Sequence, residues 1–237
     1  MRIAARSICS PSPYSSHIVR RAPSDFKLLI SSFPRGSPDG IFAWQFTSVP
    51  RGLELPISPL MSADSIALLH AAIRTVPDFP KQGISFKDIT PLLAHGKLFS
   101  LTIDAIIDTM GGQRVDKIVA IDARGFIFAG AVADRLKTGF VPVRKKGKLP
   151  WHTIGTAYSL EYGENVIEMH RDALAPGERV WLVDDVLATG GTSAAAAKLV
   201  GQLGGELAGM TFLIELDFLN GRSVLPSGVP VHGVLIY

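Results

Sequence analysis

One cysteine, Cys9, stands in 237 residues. It has no intrachain disulfide partner, and no CxxC or Cys/His cluster offers ligands to zinc. No uncharged apolar run reaches the roughly 18 residues that a membrane-spanning helix needs. GxGxxG and GxxxxGK[ST] are both missing, so neither a dinucleotide fingerprint nor a P-loop is encoded. Charged residues make up only 19%, yet hydrophobic residues reach 47%, which excludes collagen-like and wholly disordered chains. What remains is a globular protein of one domain, or at most two.

The formal net charge is +3, and it is unevenly spread. Residues 1–60 hold seven Lys/Arg against three Asp/Glu, so that segment carries +4 and residues 61–237 carry −1. The same 60 residues contain eight of the 16 prolines, 11 serines and only three of the 23 glycines. They show neither a helical nor a strand period, and proline interrupts them repeatedly. Three readings of 1–60 stand open: an organelle transit peptide, a disordered tail, or an untranslated leader with Met61 as the true start. The uncharged aromatic stretch around Trp44 speaks against the first. Ser62-Ala63-Asp64 suits a helix N-cap, as at the start of a compact domain. The domain is therefore expected over 61–237. The basic extension reads as a solvated tail, and nothing in the near-neutral remainder calls for nucleic acid.

Within the domain, residues 64–75 and 97–109 place apolar side chains at helical spacing. Ile118–Ile121 is a short apolar run of the buried-strand kind, ending in Asp122. Gly125–Leu136 reads as a helix, Phe140–Val143 as a strand and 144–157 as a long basic loop. Tyr158–Glu161 and Val166–Met169 read as a hairpin turning at Tyr162–Asn165. Arg179–Val183 reads as a strand ending in Asp184-Asp185, followed by a helix at Ala194–Leu203 and strands at Leu207–Leu216 and Val231–Ile236. Alternating strands and helices predict an α/β fold with a mainly parallel sheet flanked by helices. Ligands of such sheets bind beyond the carboxyl ends of the strands. The loops there are Asp122–Gly125, Arg144–Trp151 and Asp184–Thr192.

The stretch from Val180 to Thr192, VWLVDDVLATGGT, carries the chemistry. An apolar strand delivers two adjacent carboxylates, and a Gly/Thr loop then opens a helix. Free N–H groups at a helix start suit a phosphate, and Gly190 and Gly191 permit close backbone approach and positive φ. Thr189 and Thr192 add hydroxyl donors. Two carboxylates beside a phosphate cradle repel the phosphate unless they hold something else. Vicinal sugar hydroxyls supply that partner, and so does an assisted magnesium ion. The pattern predicts a phosphorylated sugar, with its phosphate on Ala188–Thr192 and its diol on Asp184 and Asp185.

This run resembles the signature of type I phosphoribosyltransferases, which bind 5-phosphoribosyl 1-pyrophosphate. Further stretches in order and spacing are similar to the adenine-specific members of that family: Val76–Pro80 with Gly83 and Phe86–Thr90, Asp122–Phe126, Arg144–Pro150, and Tyr158–Gly163. The resemblance covers roughly 66–237 and nothing in 1–60. It implies the family fold, with a small hood region and a flexible lid over 149–165. It implies transfer of the phosphoribosyl group from 5-phosphoribosyl 1-pyrophosphate to adenine, giving AMP and pyrophosphate with Mg2+, in purine salvage. Pyrophosphate contacts are implied for Ala123, Arg124, Arg144, Lys145 and Lys148, with a cis peptide often found at the position of Asp122–Ala123. Some of these cations reach across a dimer interface in the family, which implies a homodimer. Adenine is expected against Ser85, Phe86, Arg124 and Val186, with Leu187 as a further apolar wall. Glu161 is implied as the proton-handling catalytic residue. Ser85 replaces a frequently apolar residue of the family and Lys87 a frequent arginine. Magnesium is expected near Asp184 and Asp185, held through the substrate. No membrane partner is expected, and the implied compartment is the cytoplasm unless 1–60 directs the chain to an organelle. Two alternatives remain: a 6-oxopurine phosphoribosyltransferase, and a non-catalytic regulator that binds the sugar phosphate.

Overall fold

The computed structural model describes residues 62–160 and 163–237, with side chains for 62–158 and 165–237. The expectations for 1–60 and for Glu161 lie outside the described residues.

Helix α1 (Ala63–Ala72) opens on Ser62, whose side chain accepts a hydrogen bond from the Ser65 N–H at 3.2 Å. The helix stops three residues short of the sequence expectation. Arg74 and Thr75 instead begin strand β1 (Arg74–Pro77), which pairs antiparallel with β2 (Ser85–Asp88), Val76 opposite Phe86. Extended pairing overrides helical spacing there, because the β-branched Thr75 and Val76 fit a pleated surface. The short α2 (Thr90–Leu93) and α3 (Gly96–Asp108) follow.

The remaining elements build one sheet of seven strands, ordered β5-β6-β4-β3-β7-β8-β9. Strands β3 (Lys117–Ile121), β4 (Gly139–Lys145), β7 (Arg179–Leu187), β8 (Glu206–Glu215) and β9 (Val231–Ile236) run parallel. The antiparallel pair β5 (Thr153–Leu160) and β6 (Gly163–His170) closes one edge. Helix α4 (Gly125–Leu136) joins β3 to β4, and α5 (Gly191–Gln202) joins β7 to β8. From β3 the chain moves to β4 on one side, whereas β7 lies on the other. Their carboxyl ends therefore flank the switch point where α/β sheets bind ligands.

Alternation along β3 feeds two cores, as period-2 geometry requires. Ile118 and Ala120 join Phe128 of α4 and Ile106 of α3; Val119 and Ile121 join Leu199 and Val200 of α5. Because both faces are covered, the strand is apolar from Ile118 to Ile121.

Three further boundaries depart from expectation. The basic segment 144–157 is not one loop: Arg144 and Lys145 end β4, and Thr153 already begins β5. Pairing of β5 with β6 runs from Thr153–His170 to Leu160–Gly163, which puts Gly163, Glu164 and Asn165 in strand rather than turn. Strand β7 likewise runs past its carboxylates to Leu187, because β8 continues beside it as far as Glu215.

The buried Trp181 of β7 ties these layers together. Its indole N–H donates to Thr211 of β8 at 2.9 Å, and Thr211 shares a 2.6 Å hydrogen bond with Thr109 at the end of α3. Thr211 has no exposed surface. Thr211→Val keeps the shape but leaves the indole donor without a partner. Denaturant titration is expected to show a loss of about 1–3 kcal/mol; an unchanged unfolding midpoint would show that the bridge contributes nothing.

Candidate active site

A cavity of about 360 Å³ opens at the switch point between β3 and β7. Its walls come from the turn after β3 (Asp122, Ala123, Arg124), from Lys145 of β4 and from Tyr158 of β5. Asp184, Asp185 and Val186 of β7 and the loop Ala188–Thr192 complete it. The carboxylate pair and the anion loop thus share one hollow, as their sequence spacing requires.

The loop is shaped by close contact. Gly190 caps α5 in the left-handed region, at φ 79°, a conformation that costs a side-chain-bearing residue free energy. A Cβ there would also collide with the Gly221 carbonyl oxygen. α5 starts at Gly191, three residues earlier than expected, so the free N–H groups of its first turn border the cavity.

The carboxylates are packed as tightly. Asp184 Oδ1 accepts the Asp185 N–H at 2.9 Å. It also fills the space that a Cβ on Gly125 would occupy, so only glycine lets α4 begin this close to β7. Asp185 is buried, and its Oδ2 lies 2.7 Å from Arg124 Nε. Burial pushes the Asp184 carboxyl well above the usual carboxylate range, and the neighbouring Asp185 charge pushes the same way. Burial raises Asp185 as well, opposed by the Arg124 guanidinium. Among the described residues no three His, Cys, Asp or Glu side chains group to hold a metal unaided. Two adjacent carboxylates next to a phosphate cradle suit a magnesium ion that brings most of its oxygen ligands with a phosphorylated substrate.

The turn after β3 contains the expected non-proline cis peptide, Asp122–Ala123. Arg124 connects two subsites: while it pairs with Asp185, its guanidinium carbon lies 5.8 Å from the centre of the Phe86 ring. Phe86 is itself held edge-on by Phe79, with ring centres 5.1 Å apart. Phe86 and Ser85 sit on β2, outside the cavity lining, on the side to which Arg124 reaches.

One expectation for the pocket is corrected, that for Leu187. Arg144 and Lys148 do not line the cavity. Arg144 donates to Asp122 Oδ2 at 2.8 Å and to the Lys148 carbonyl at 3.0 Å, while Lys145 does line it. Adjacent residues of β4 face opposite sides, which separates Arg144 from Lys145. Leu187 is no pocket wall. It is 1% exposed and packs into the core beside α5, because β7 extends that far. Sequence reasoning gave no role to Tyr158, whose place follows from alternation along a hairpin whose extent was misread. It also missed Gly221, which touches the loop from behind.

The raised carboxyls make a stability prediction. A folded-state value above the unfolded one favours folding at acid pH, and this contribution is lost as pH rises through the folded value. At neutral pH the dyad therefore destabilises the ligand-free protein relative to acid pH. Asp184→Asn keeps the acceptor for the Asp185 N–H and removes one charge. Its melting temperature is expected to exceed the parent's by a few degrees near pH 8, with the gap closing towards about pH 4. A variant that is less stable at pH 8, or a gap independent of pH, would refute this electrostatic account.

Residues 92–222 match the phosphoribosyl transferase domain family. An adenine phosphoribosyltransferase of Mesorhizobium japonicum is 54% identical over 168 residues, 70% of this chain and 93% of that protein. The crystal structure of adenine phosphoribosyltransferase from Rhodothermus marinus superposes with a TM-score of 0.71 at 54% identity, covering 74% of this chain and 100% of that one. The enzyme from Saccharomyces cerevisiae, solved with an imino-altritol bisphosphate and adenine, gives 0.70 at 40% identity over 73% and 99% of the two chains. In sequence across nearly the whole of these relatives, and in a fold centred on the same kind of sheet, the chain belongs to the adenine phosphoribosyltransferase family.

Proposed function

We propose that this enzyme transfers the phosphoribosyl group of 5-phosphoribosyl 1-pyrophosphate to adenine, releasing AMP and pyrophosphate, as a step of purine salvage. One observation carries the reading: Asp184-Asp185 and the Ala188–Thr192 anion loop line the same cavity, and Arg124 extends from it towards Phe86. The yeast relative was solved with a bisphosphate and adenine together, which supports a site for both kinds of group.

In the proposed complex the 5-phosphate sits on the N–H groups and hydroxyls of Ala188, Thr189, Gly190, Gly191 and Thr192. Asp184 and Asp185 accept from the ribose hydroxyls. Ala123, Arg124, Arg144, Lys145 and Lys148 serve pyrophosphate, with Arg144 also bracing the turn through Asp122. Phe86 stacks on the purine, backbone groups near Ser85 read its edge, and Val186 packs against it. N9 of adenine forms a bond to C1 of the ribose while the C1–oxygen bond breaks and pyrophosphate departs with the electron pair. Glu161 handles the proton lost from the base. Asp184 and Asp185 would help hold a magnesium ion brought with the substrate, which would offset charge on the leaving group. The protein's own contribution is positioning and fixed positive charge where pyrophosphate develops. Closure of 149–165 keeps water from the cation-like sugar.

We further propose a homodimer, supported by half-exposed Ile127 and Phe140 beside the Phe126–Phe140 ring contact on α4 and β4. The enzyme domain is taken as 61–237, working in the cytoplasm, with 1–60 outside the chemistry.

Purified protein offered adenine, hypoxanthine, guanine and xanthine in parallel is expected to make AMP from adenine alone. Turnover of an oxopurine only would overturn the base assignment. Nucleic-acid binding without any turnover would favour a regulator. Asp185→Asn is expected to lose kcat/KM by on the order of tenfold to a hundredfold, mainly through KM for the sugar pyrophosphate, since a charged acceptor becomes a neutral one. An unchanged kcat/KM would refute the diol assignment. A chain shortened to 61–237 is expected to keep kcat within about twofold, whereas a larger loss would bring 1–60 into the enzyme.

A further inference from the structure

The phosphate loop has a rear wall that its own sequence does not encode. A short 3₁₀ turn, Gly221–Val224, lies directly behind it. A Cβ on Gly221 would overlap the Ala188 carbonyl oxygen and sit 3.2 Å from the Gly190 nitrogen. A Cβ on Gly190 would in turn overlap the Gly221 carbonyl oxygen and lie 2.7 Å from Val224 Cγ2. The two backbones therefore touch without intervening side chains, and any shift of the turn is passed to the loop.

The turn is fixed by an ion pair at the end of β8. Glu215 is 3% exposed and accepts both a hydrogen bond from Arg222 Nε and one from Nη2 at 2.6 Å. Arg222 Nη1 also donates to the Val231 carbonyl of β9 at 2.8 Å. Gly233 of β9 leaves the space that the Glu215 carboxylate occupies, since a Cβ there would overlap Oε2. The planar fork fixes both position and orientation of the turn, which a point charge does not. Hydrogen bonding to Glu215 raises the Arg222 pKa further, so the guanidinium stays charged throughout the working range.

Neither side chain lines the cavity. We propose that Glu215 and Arg222 are positioning residues for the 5-phosphate loop, setting the Ala188–Gly190 backbone through Gly221. The assignment rests on the functional reading above, in which that loop holds the 5-phosphate. A pair serving only the fold would affect stability and the active fraction. A pair serving the loop affects sugar-phosphate binding selectively.

The test compares the full-length protein with the double variant Glu215→Gln/Arg222→Met, which avoids leaving a lone buried charge. Expected is a rise in KM for 5-phosphoribosyl 1-pyrophosphate on the order of tenfold, the size seen when groups that orient binding residues are removed. Both kcat and KM for adenine stay within about twofold. Arg222→Lys keeps the charge but loses the fork, and is expected to recover part of the KM. It also serves as the deciding variant where the double variant does not fold. Calorimetric binding of ribose 5-phosphate reads the same loop without turnover, and its Kd is expected to weaken by a similar factor. A lowered melting temperature with both KM and Kd unchanged, or an equal loss with both substrates, overturns the proposal. Wild-type protein that binds ribose 5-phosphate but makes no AMP refutes the functional reading instead, and the Kd comparison still decides this one.

Discussion

The site depends on holding two adjacent carboxylates in a place that disfavours their charge. Asp184 and Asp185 lie inside a parallel strand, next to each other and largely removed from water, and both titrate above the ordinary range. The surrounding structure answers this constraint. Arg124 supplies the nearest positive charge, and the Asp185 N–H satisfies one oxygen of Asp184. Gly125 omits a side chain so that the Asp184 carboxylate fits against the start of α4. That helix must begin there because β3 and β7 are neighbours at the sheet's switch point.

The same economy of space governs the phosphate loop. Phosphate recognition by backbone N–H groups requires the backbone itself to be exposed to the ligand, so the loop residues are small. Small residues cannot hold themselves in place by packing. Support comes from outside, from the Gly221 turn and the charged fork that anchors it to β8 and β9. The loop's chemistry and its rigidity therefore come from separate parts of the chain.

This separation explains what the sequence disclosed. The dyad and the loop form one contiguous run, and their chemistry follows from residue type and spacing. Helix α4 over Gly125–Leu136 and the apolar β3 were legible for the same local reason. The pairing of Glu215 with Arg222 was not, since it acquires meaning only when β8 lies beside β7 and the following turn folds back on the loop. Leu187 was misassigned because the length of β7 is set by β8 rather than by its own residues. Among the clustered cations at 144–148, Lys145 faces the cavity while Arg144 secures Asp122, a division that strand alternation imposes and that the run of charges does not reveal.

The ion pair between Arg124 and Asp185 is asymmetric in a way that bears on ligand exchange. The Arg124 side chain retains 45% of its exposure, against 8% for Asp185. An exposed long side chain moves at little cost, while a buried carboxylate does not. Any hydroxyl that reaches Asp185 competes with Arg124, and it is the guanidinium that can yield. Even while paired, it lies 5.8 Å from the centre of the Phe86 ring, on the side where the proposed reading puts the base. The carboxylate then exchanges one donor for another and keeps a hydrogen-bond partner, while the countercharge moves away with the guanidinium. A ligand that binds only the folded state then stabilises it by mass action, against the destabilisation that the crowded dyad imposes on the ligand-free fold.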